Sequence, residues 1–138
     1  MTLQVELVVP EGDVWSGQAE MVIAKTLDGD IGVLTGHTPV LGILAEGSVV
    51  RIRPNAAADE GEVVAAVNGG FFSVADDRVS ILAQDARLSG DIDVKAARAA
   101  LESALQDGQA EAAGGEESAD VRYYRALLRA AGDPADRA

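Results

Sequence analysis

The 138-residue chain is long enough for one medium domain, or for a small domain with an appendage, and its hydrophobic content of 48% comes chiefly from Val, Ile, Leu and Ala because aromatics supply only 4%. A formal net charge of −12 argues against nucleic-acid binding and against direct adsorption to anionic lipid, since an acidic surface repels phosphate. The absence of cysteine excludes disulfides, thiolate metal sites and cysteine nucleophiles.

Residues 1 to 10 alternate in polarity and lack a basic N-terminal region, so no signal peptide is expected. No stretch approaches the roughly 20 apolar residues of a membrane span. The longest uncharged run, Val63 to Ala75, is interrupted by Asn68-Gly69-Gly70 and reads as two strands. A soluble, cytosolic chain is expected, with any membrane association made through a partner.

Leu3, Val5, Leu7 and Val9 recur at every second position, the period of a strand buried on one face. Pro10 to Asp13 reads as a turn. Val14-Trp15-Ser16 starts a second strand that Gly17 should end, and Ala19 to Thr26 reads as a third. Trp15, the one tryptophan, is expected to pack in the core or at a sheet edge. Asp28-Gly29 reads as a tight hairpin turn, because glycine accepts positive φ without steric cost. Ile31 and Val33 follow as strand. Thr35 to Pro39 breaks the chain again, and apolar residues resume at Val40.

Further strands are predicted over Val49–Arg53, Glu62–Val67, Phe71–Ala75 and Arg78–Ala83, with turns at Pro54–Gly61, Asn68–Gly70 and Ala75–Asp77. Arg51 and Arg53 alternate with Val50 and Ile52 and should face solvent. Short strands at this spacing indicate a β-sandwich or barrel.

The period changes after Gly90. Asp91 and Asp93 are N-cap candidates, and Val94, Ala97, Leu101, Ala104 and Leu105 fall at helical spacing. Gly108 is the expected stop, and Gln109 to Ala119, with Gly114-Gly115, reads as a flexible link. Asp120 is the expected cap of a second helix with a Val121, Tyr124, Leu128, Ala131 stripe, ended by Gly132-Asp133-Pro134. The predicted architecture is thus a β-sandwich N-terminal domain, residues 1–86, followed by a C-terminal αα-hairpin with link and tail, residues 87–138.

Arg122, Arg125 and Arg129 lie at i, i+3 and i+7, on one helix face. They read either as a solvated stripe that partly compensates the helix dipole or as a docking surface for an acidic partner. No catalytic constellation is visible. His37 is the single histidine, no Gly-x-Ser-x-Gly, P-loop or Gly-x-Gly-x-x-Gly occurs, and the scattered carboxylates lack metal-ligand spacing. Asp28 and Asp30, beside a hairpin glycine, read as turn formers rather than as an acid–base pair. Neither a metal nor a cofactor is expected.

Two blocks carry more. Asp28-Gly-Asp-Ile-Gly-Val-Leu-Thr-Gly-His-Thr-Pro-Val-Leu41 leads into Glu46-Gly-Ser-Val-Val-Arg-Ile52, and Asn68-Gly-Gly-Phe-Phe-Ser-Val74 leads into Val79-Ser-Ile-Leu-Ala83. In this order, across almost the whole chain, they resemble the ε subunit of the F-type ATP synthase. The resemblance implies a sandwich with a helical hairpin, agreeing with the periodicity. It implies a non-catalytic rotor subunit of the central stalk that ties the γ subunit to the c-ring and couples proton flow to ATP synthesis on the α/β catalytic subunits. It would sit peripherally on the cytoplasmic face of the cell membrane, as part of the complex.

By the same resemblance Asp30, beside Asp28, takes the place of the carboxylate that touches the c-ring, and Gly36, His37 and Pro39 form the corner near γ. The C-terminal hairpin would inhibit ATP hydrolysis, with Arg122, Arg125 and Arg129 meeting acidic residues of a catalytic subunit. The family's ATP motif, Ile/Leu-Asp-x-x-Arg-Ala with an upstream glutamate, falls on Ile92, Asp93, Ala96 and Ala97, with Gln84 upstream. Asp93 and Ala97 fit, whereas Ala96 and Gln84 depart from it; Lys95 or Arg98 would have to substitute, and a point charge one residue away, on a different face, does not replace an arginine fork. Weak or absent ATP binding is expected. The alternative reading is a nucleotide-sensing sandwich with a helical lid.

Overall fold

The computed structural model describes residues 2–54, 62–106 and 118–132. Strands β1 (Leu3–Val9), β2 (Gly12–Ala19), β3 (Met21–Thr26), β4 (Gly29–Leu34), β5 (Val40–Ile43), β6 (Glu46–Arg53), β7 (Val63–Ala75) and β8 (Arg78–Leu88) precede a 3-10 turn at Ser89–Asp91 and helices α1 (Val94–Gln106) and α2 (Ala119–Ala130). The strands bond in the order β2-β1-β8-β7-β6-β3-β4, with β5 also on β7. This is the β-sandwich followed by two helices that the periodicity predicts. The two-residue alternation holds where one face is wet: Leu3, Val5 and Leu7 are buried, and Gln4 and Glu6 are exposed.

β7 belongs to both layers. Its first half, Val63 to Asn68, pairs with β6, and its second half, Phe71 to Val74, pairs with β5. β8 accompanies it from Ala65↔Leu88 to Ala75↔Arg78. The exchange of partners falls at Asn68-Gly69-Gly70, which the sequence reading makes a turn. The structure bends a single strand there instead. Gly69 and Gly70 have φ of 67° and 125°, values that cost a residue with a side chain, and a Cβ on Gly70 would strike the Leu82 carbonyl. Pairing with β8 across the bend keeps the backbone satisfied, so the chain has no need to reverse.

The same pairing carries β8 beyond the expected Ala83 end, because Val67 and Ala65 take Ala86 and Leu88 as partners. β2 likewise continues through Gly17 to Ala19, which pairs with Leu3. Gly17 does not end the strand. It makes room for the Trp15 ring, which a Cβ there would approach to 3.0 Å, and Trp15 packs against the core as expected.

The inner faces of the two layers merge into one apolar cluster that includes Leu3, Val22, Val33, Ile52, Phe72 and Ile81. The first half of β7 is covered on both sides. Ala65 and Val67 enter that core, while Ala66 faces α2 with Val49 and Val64, so the run lacks polar alternation. Arg51 and Arg53 face solvent as expected, and each meets Glu62 at 3.0 Å. The hydrogen bond from Arg53, supported by Arg51, holds the Glu62 carboxyl below its ordinary range.

The helices are stacked in tiers. Tyr123, Ala126 and Ala130 of α2 pack on the β6–β7 surface. Val121 and Leu128 receive Ala97, Leu101 and Ala104 of α1. Leu105, placed in the α1 stripe by its spacing, is instead 41% exposed. Asp93 caps α1 as expected, accepting from the Ala96 N–H at 3.0 Å, whereas Asp91 sits in the 3-10 turn. The cap of α2 is Ser118, which accepts from the Val121 N–H at 3.3 Å. Asp120, the expected cap, lies inside the first turn, where its charge still suits the helix dipole. Gly132, with φ 79°, follows the last turn. Gly108 and most of the Gln109–Ala119 link lie outside the described residues.

With 13 and 12 residues, these helices fall near the length of about 12–15 at which an isolated helix is marginal. Packing must sustain them. Beyond the apolar seam, Arg122 Nη2 donates to Glu46 Oε2 at 3.2 Å and the Tyr123 hydroxyl donates to Asp85 Oδ2 at 3.0 Å. The backbone closes tightly at Gly47: its φ is 65°, and a Cβ there would overlap the Arg122–Tyr123 peptide.

Replacing Gly47 with alanine therefore adds left-handed strain of about 1–2 kcal/mol and pushes α2 off the sheet. Trypsin should cut Gly47→Ala at Arg122, Arg125 and Arg129 at least ~10-fold faster, as about 1.4 kcal/mol in the closed–open equilibrium implies, while the β-part survives. Equal rates would show that this contact does not hold α2. A second outcome concerns Tyr123. Burial, aided by Asp85, raises its phenol pKa. A raised pKa stabilises the fold below the unfolded value of about 10 and is lost as pH climbs above it. Denaturant titrations should therefore show stability falling above about pH 10, with that part of the slope absent in Tyr123→Phe, at a neutral-pH cost of about 0.5–1.5 kcal/mol. Identical slopes would contradict the assignment.

Candidate functional site

Val8, Leu82, Phe71 and Ile43 are register partners on four neighbouring strands: Val8↔Leu82, Leu82↔Phe71 and Phe71↔Ile43. Their chain neighbours Leu7, Ile81, Phe72 and Leu44 fill the core, so this row lies on the outer face of the sheet. Phe71 is 53%, Ile43 50% and Leu82 49% exposed. Leu41, two residues before Ile43 and still more exposed, extends the row along β5. Val8, Val9, Pro10, Phe71 and Leu82 border a shallow groove of about 310 Å³. A contiguous apolar face of this kind marks an interaction surface. Sequence reasoning missed it. The signal was there in the doublets Leu7-Val8, Ile43-Leu44, Phe71-Phe72 and Ile81-Leu82, where alternation calls for one polar partner.

The residues expected at the partner interface fall at two places. Asp28 and Asp30 are exposed at the β3–β4 tip, which Thr26 tightens: its hydroxyl donates to the Gly29 carbonyl at 2.7 Å and accepts from the Asp28 N–H at 3.1 Å. The tip is tied to β5 by the Leu27 N–H, which donates to the Ile43 carbonyl at 3.0 Å. Gly36, His37 and Pro39 follow the opposite end of β4. There the Gly36 N–H donates to Asp77 Oδ1 at 2.7 Å, and His37 Nδ1 donates to the Thr38 carbonyl at 2.7 Å. Asp77 also accepts from the Gln4 N–H through its carbonyl, at 2.8 Å. One aspartate in the β7–β8 turn thus pins the corner to β1.

The flanks of α2 differ in charge. On one, Ile92, Asp93, Ala96 and Ala97 border a cavity of about 280 Å³ together with Asp85, Arg87, Asp91, Tyr123 and Tyr124. The motif positions are brought together there, except for Gln84, which is not part of the lining. Three carboxylates against one guanidinium form a poor receptor for a triphosphate. On the other flank, Arg122, Arg125 and Arg129 face Lys25 and the Ala45–Ser48 segment at the start of β6. The arginine stripe is thus turned along the β-part in this arrangement.

Among the described residues, no three His, Cys, Asp or Glu side chains gather closely enough to hold a metal ion. Among them also, no helix is long and apolar enough to cross a membrane.

Residues 2–89 match the family described as ATP synthase, Delta/Epsilon chain, beta-sandwich domain. The ATP synthase epsilon chain of Thermobifida fusca is 54% identical over 130 residues, covering 94% of this chain and 91% of that one. The epsilon chain of Streptomyces griseus is 48% identical over 127 residues, covering 92% and 97%. Among solved structures, a chain of the Euglena gracilis mitochondrial ATP synthase OSCP/F1/c-ring assembly superposes with a TM-score of 0.67 at 19% identity, covering 96% of this chain and 78% of that one. A chain of the Tetrahymena thermophila mitochondrial central stalk/c-ring gives a TM-score of 0.53 at 20% identity, covering 72% of each. At those identities the structural matches speak for the fold. The sequence matches, spanning the β-part and nearly the full length, place this chain in the ATP synthase epsilon-chain family.

Proposed function

We propose that the chain is a non-catalytic central-stalk subunit of a proton-translocating F-type ATP synthase, in which its β-sandwich ties the γ subunit to the c-ring. The observation that carries this reading is the apolar row of half-buried Val8 with exposed Leu82, Phe71 and Ile43, on strands whose other face supplies Leu7, Ile81, Phe72 and Leu44 to the core. A surface that transmits torque must not yield, and a row fixed by four strands in register deforms less than a loop.

The two ends of β4 supply the polar contacts. β4 spans six residues, Gly29–Leu34, so Asp30 near its start and Gly36 beyond its end lie about 20 Å apart, which suits a module that joins two partners. In this proposal the Asp30 carboxylate pairs with polar c-ring loops. The corner of Gly36, His37 and Pro39 and the apolar row meet γ. The chain is held peripherally on the cytoplasmic face of the cell membrane through the complex. α2 can present Arg122, Arg125 and Arg129 to an acidic surface of a catalytic subunit only by giving up the Arg122–Glu46 pair. That exchange is the step by which the hairpin would inhibit hydrolysis. The acidic lining around Asp93 supports weak ATP affinity and disfavours a nucleotide-sensing role for that cavity.

Tagged full-length protein, incubated with detergent-solubilised membranes of its source, should recover γ, c and the α/β subunits by mass spectrometry. The double variant Phe71→Glu/Leu82→Glu, folded by circular dichroism, should lose γ at least ~10-fold, because each desolvated carboxylate costs more than 1.4 kcal/mol at an apolar interface. Failure of the folded parent to recover any of these subunits overturns the stalk reading. Equal recovery by parent and variant moves the γ contact off this row.

A further inference from the structure

The β7–β8 turn is made by Asp76 and Asp77, between Ala75 and its register partner Arg78. Both have left-handed backbone, with φ of 52° and 61°, and among the described residues no other non-glycine does. A two-residue hairpin turn with positive φ at both places favours Asn-Gly or Asp-Gly, because glycine takes the second place without steric cost. Turn chemistry therefore accounts for Asp76 and leaves Asp77 unexplained.

What Asp77 does is reach a second turn. Its Oδ1 accepts from the Gly36 N–H at 2.7 Å, across 41 positions of chain. Leu34 to His37 form a β-turn closed by the His37 N–H, which donates to the Leu34 carbonyl at 3.2 Å. Gly36 is its third residue, with φ 82°, close to the roughly +80° of a type II turn. The N–H at that place has no acceptor inside the turn, and the Asp77 carboxylate supplies one. His37 Nδ1 donates to the Thr38 carbonyl at 2.7 Å, so the ring is fixed to the corner's own backbone and, when neutral, presents Nε2 as an acceptor. The imidazole therefore points where the turn points. Asp77 is held from behind as well, since its carbonyl accepts from the Gln4 N–H at 2.8 Å. Gln4 pairs with Arg78, and the same two strands, β1 and β8, carry Val8 and Leu82 of the apolar row. Strained backbone that its surroundings hold in place points to function.

We propose that Asp77 is the positioning residue of the Gly36–Pro39 corner: its carboxylate, by holding the Gly36 N–H, sets His37 and Pro39 in register with the apolar row for contact with γ. This rests on the reading that the corner and the row meet γ. Asp77 itself touches no partner and acts through the turn it holds.

The test combines amide hydrogen exchange at Gly36 in the free full-length protein with recovery of γ from detergent-solubilised membranes of its source. Asp77→Gly suits the turn and should fold by circular dichroism. It should nevertheless exchange the Gly36 amide at least ~10-fold faster and recover at least ~10-fold less γ, since a hydrogen bond to a charged acceptor is lost. Asp77→Asn keeps an oxygen within reach and should stay within ~3-fold of the parent in both. Asp76→Gly relieves the same kind of backbone without removing the carboxylate that reaches Gly36, and should match the parent. Unchanged Gly36 exchange in Asp77→Gly overturns the positioning role. So does faster exchange with undiminished recovery of γ, or an equal loss of γ in Asp76→Gly; in these cases loss of γ by Phe71→Glu/Leu82→Glu shows that the stalk reading stands. A folded parent that recovers no γ overturns the stalk reading, and this role with it.

Discussion

The pairing of β7 with β8 is the constraint on which the remainder rests. It runs without a register shift from Ala65↔Leu88 to Ala75↔Arg78, through a bend that only glycine tolerates. Each functional surface hangs on it. Phe72 and Ile81 enter the core, while Phe71 and Leu82, their neighbours in the chain, form the centre of the outer apolar row. Ala66 seats α2, and Asp85 holds the Tyr123 hydroxyl. The Asp76–Asp77 turn that closes this hairpin also anchors the Gly36 corner. A one-residue slip would exchange the core and the apolar row at a stroke.

The helices depend on this sheet in sequence. α1 is packed on α2 and α2 on the sheet. Val121 and Leu128, both fully buried, contribute about 1.5–3 kcal/mol each, and neither helix is long enough to persist alone. The seam includes an apolar strip of small residues, the Arg122–Glu46 and Tyr123–Asp85 hydrogen bonds and a tight backbone contact at Gly47.

Much of this was legible in the residues. The Asp28-Gly29 tip, the Thr35–Pro39 corner and the Ala97, Leu101, Val121 and Leu128 contacts follow from turn chemistry and period. What was not legible depended on neighbours distant in sequence. Asn68-Gly69-Gly70 has the composition of a turn, and only the close approach of β8 makes it a bend. Gly17 has the composition of a strand end, and only the Trp15 ring explains it. Ser118 and Asp120 are both competent caps, so local chemistry could not choose between them. The Arg122, Arg125 and Arg129 stripe was visible as a helix face, but its destination against Lys25 and the start of β6 required the tertiary fold. Ile92, Asp93, Ala96 and Ala97 do share one cavity, yet the Asp85, Asp91 and Arg87 that set its charge come from outside the α1 helix.

In the proposed stalk role, the apolar row is the face covered when the subunit enters the complex. The chain contains no cysteine, so Leu82→Cys places a single thiol on that row. Maleimide labelling should be rapid on the free protein and suppressed at least ~10-fold after assembly with γ and the c-ring, as exclusion of the labelled state by more than 1.4 kcal/mol requires. Undiminished labelling in the assembled complex would show that the row stays exposed there and is not the buried face.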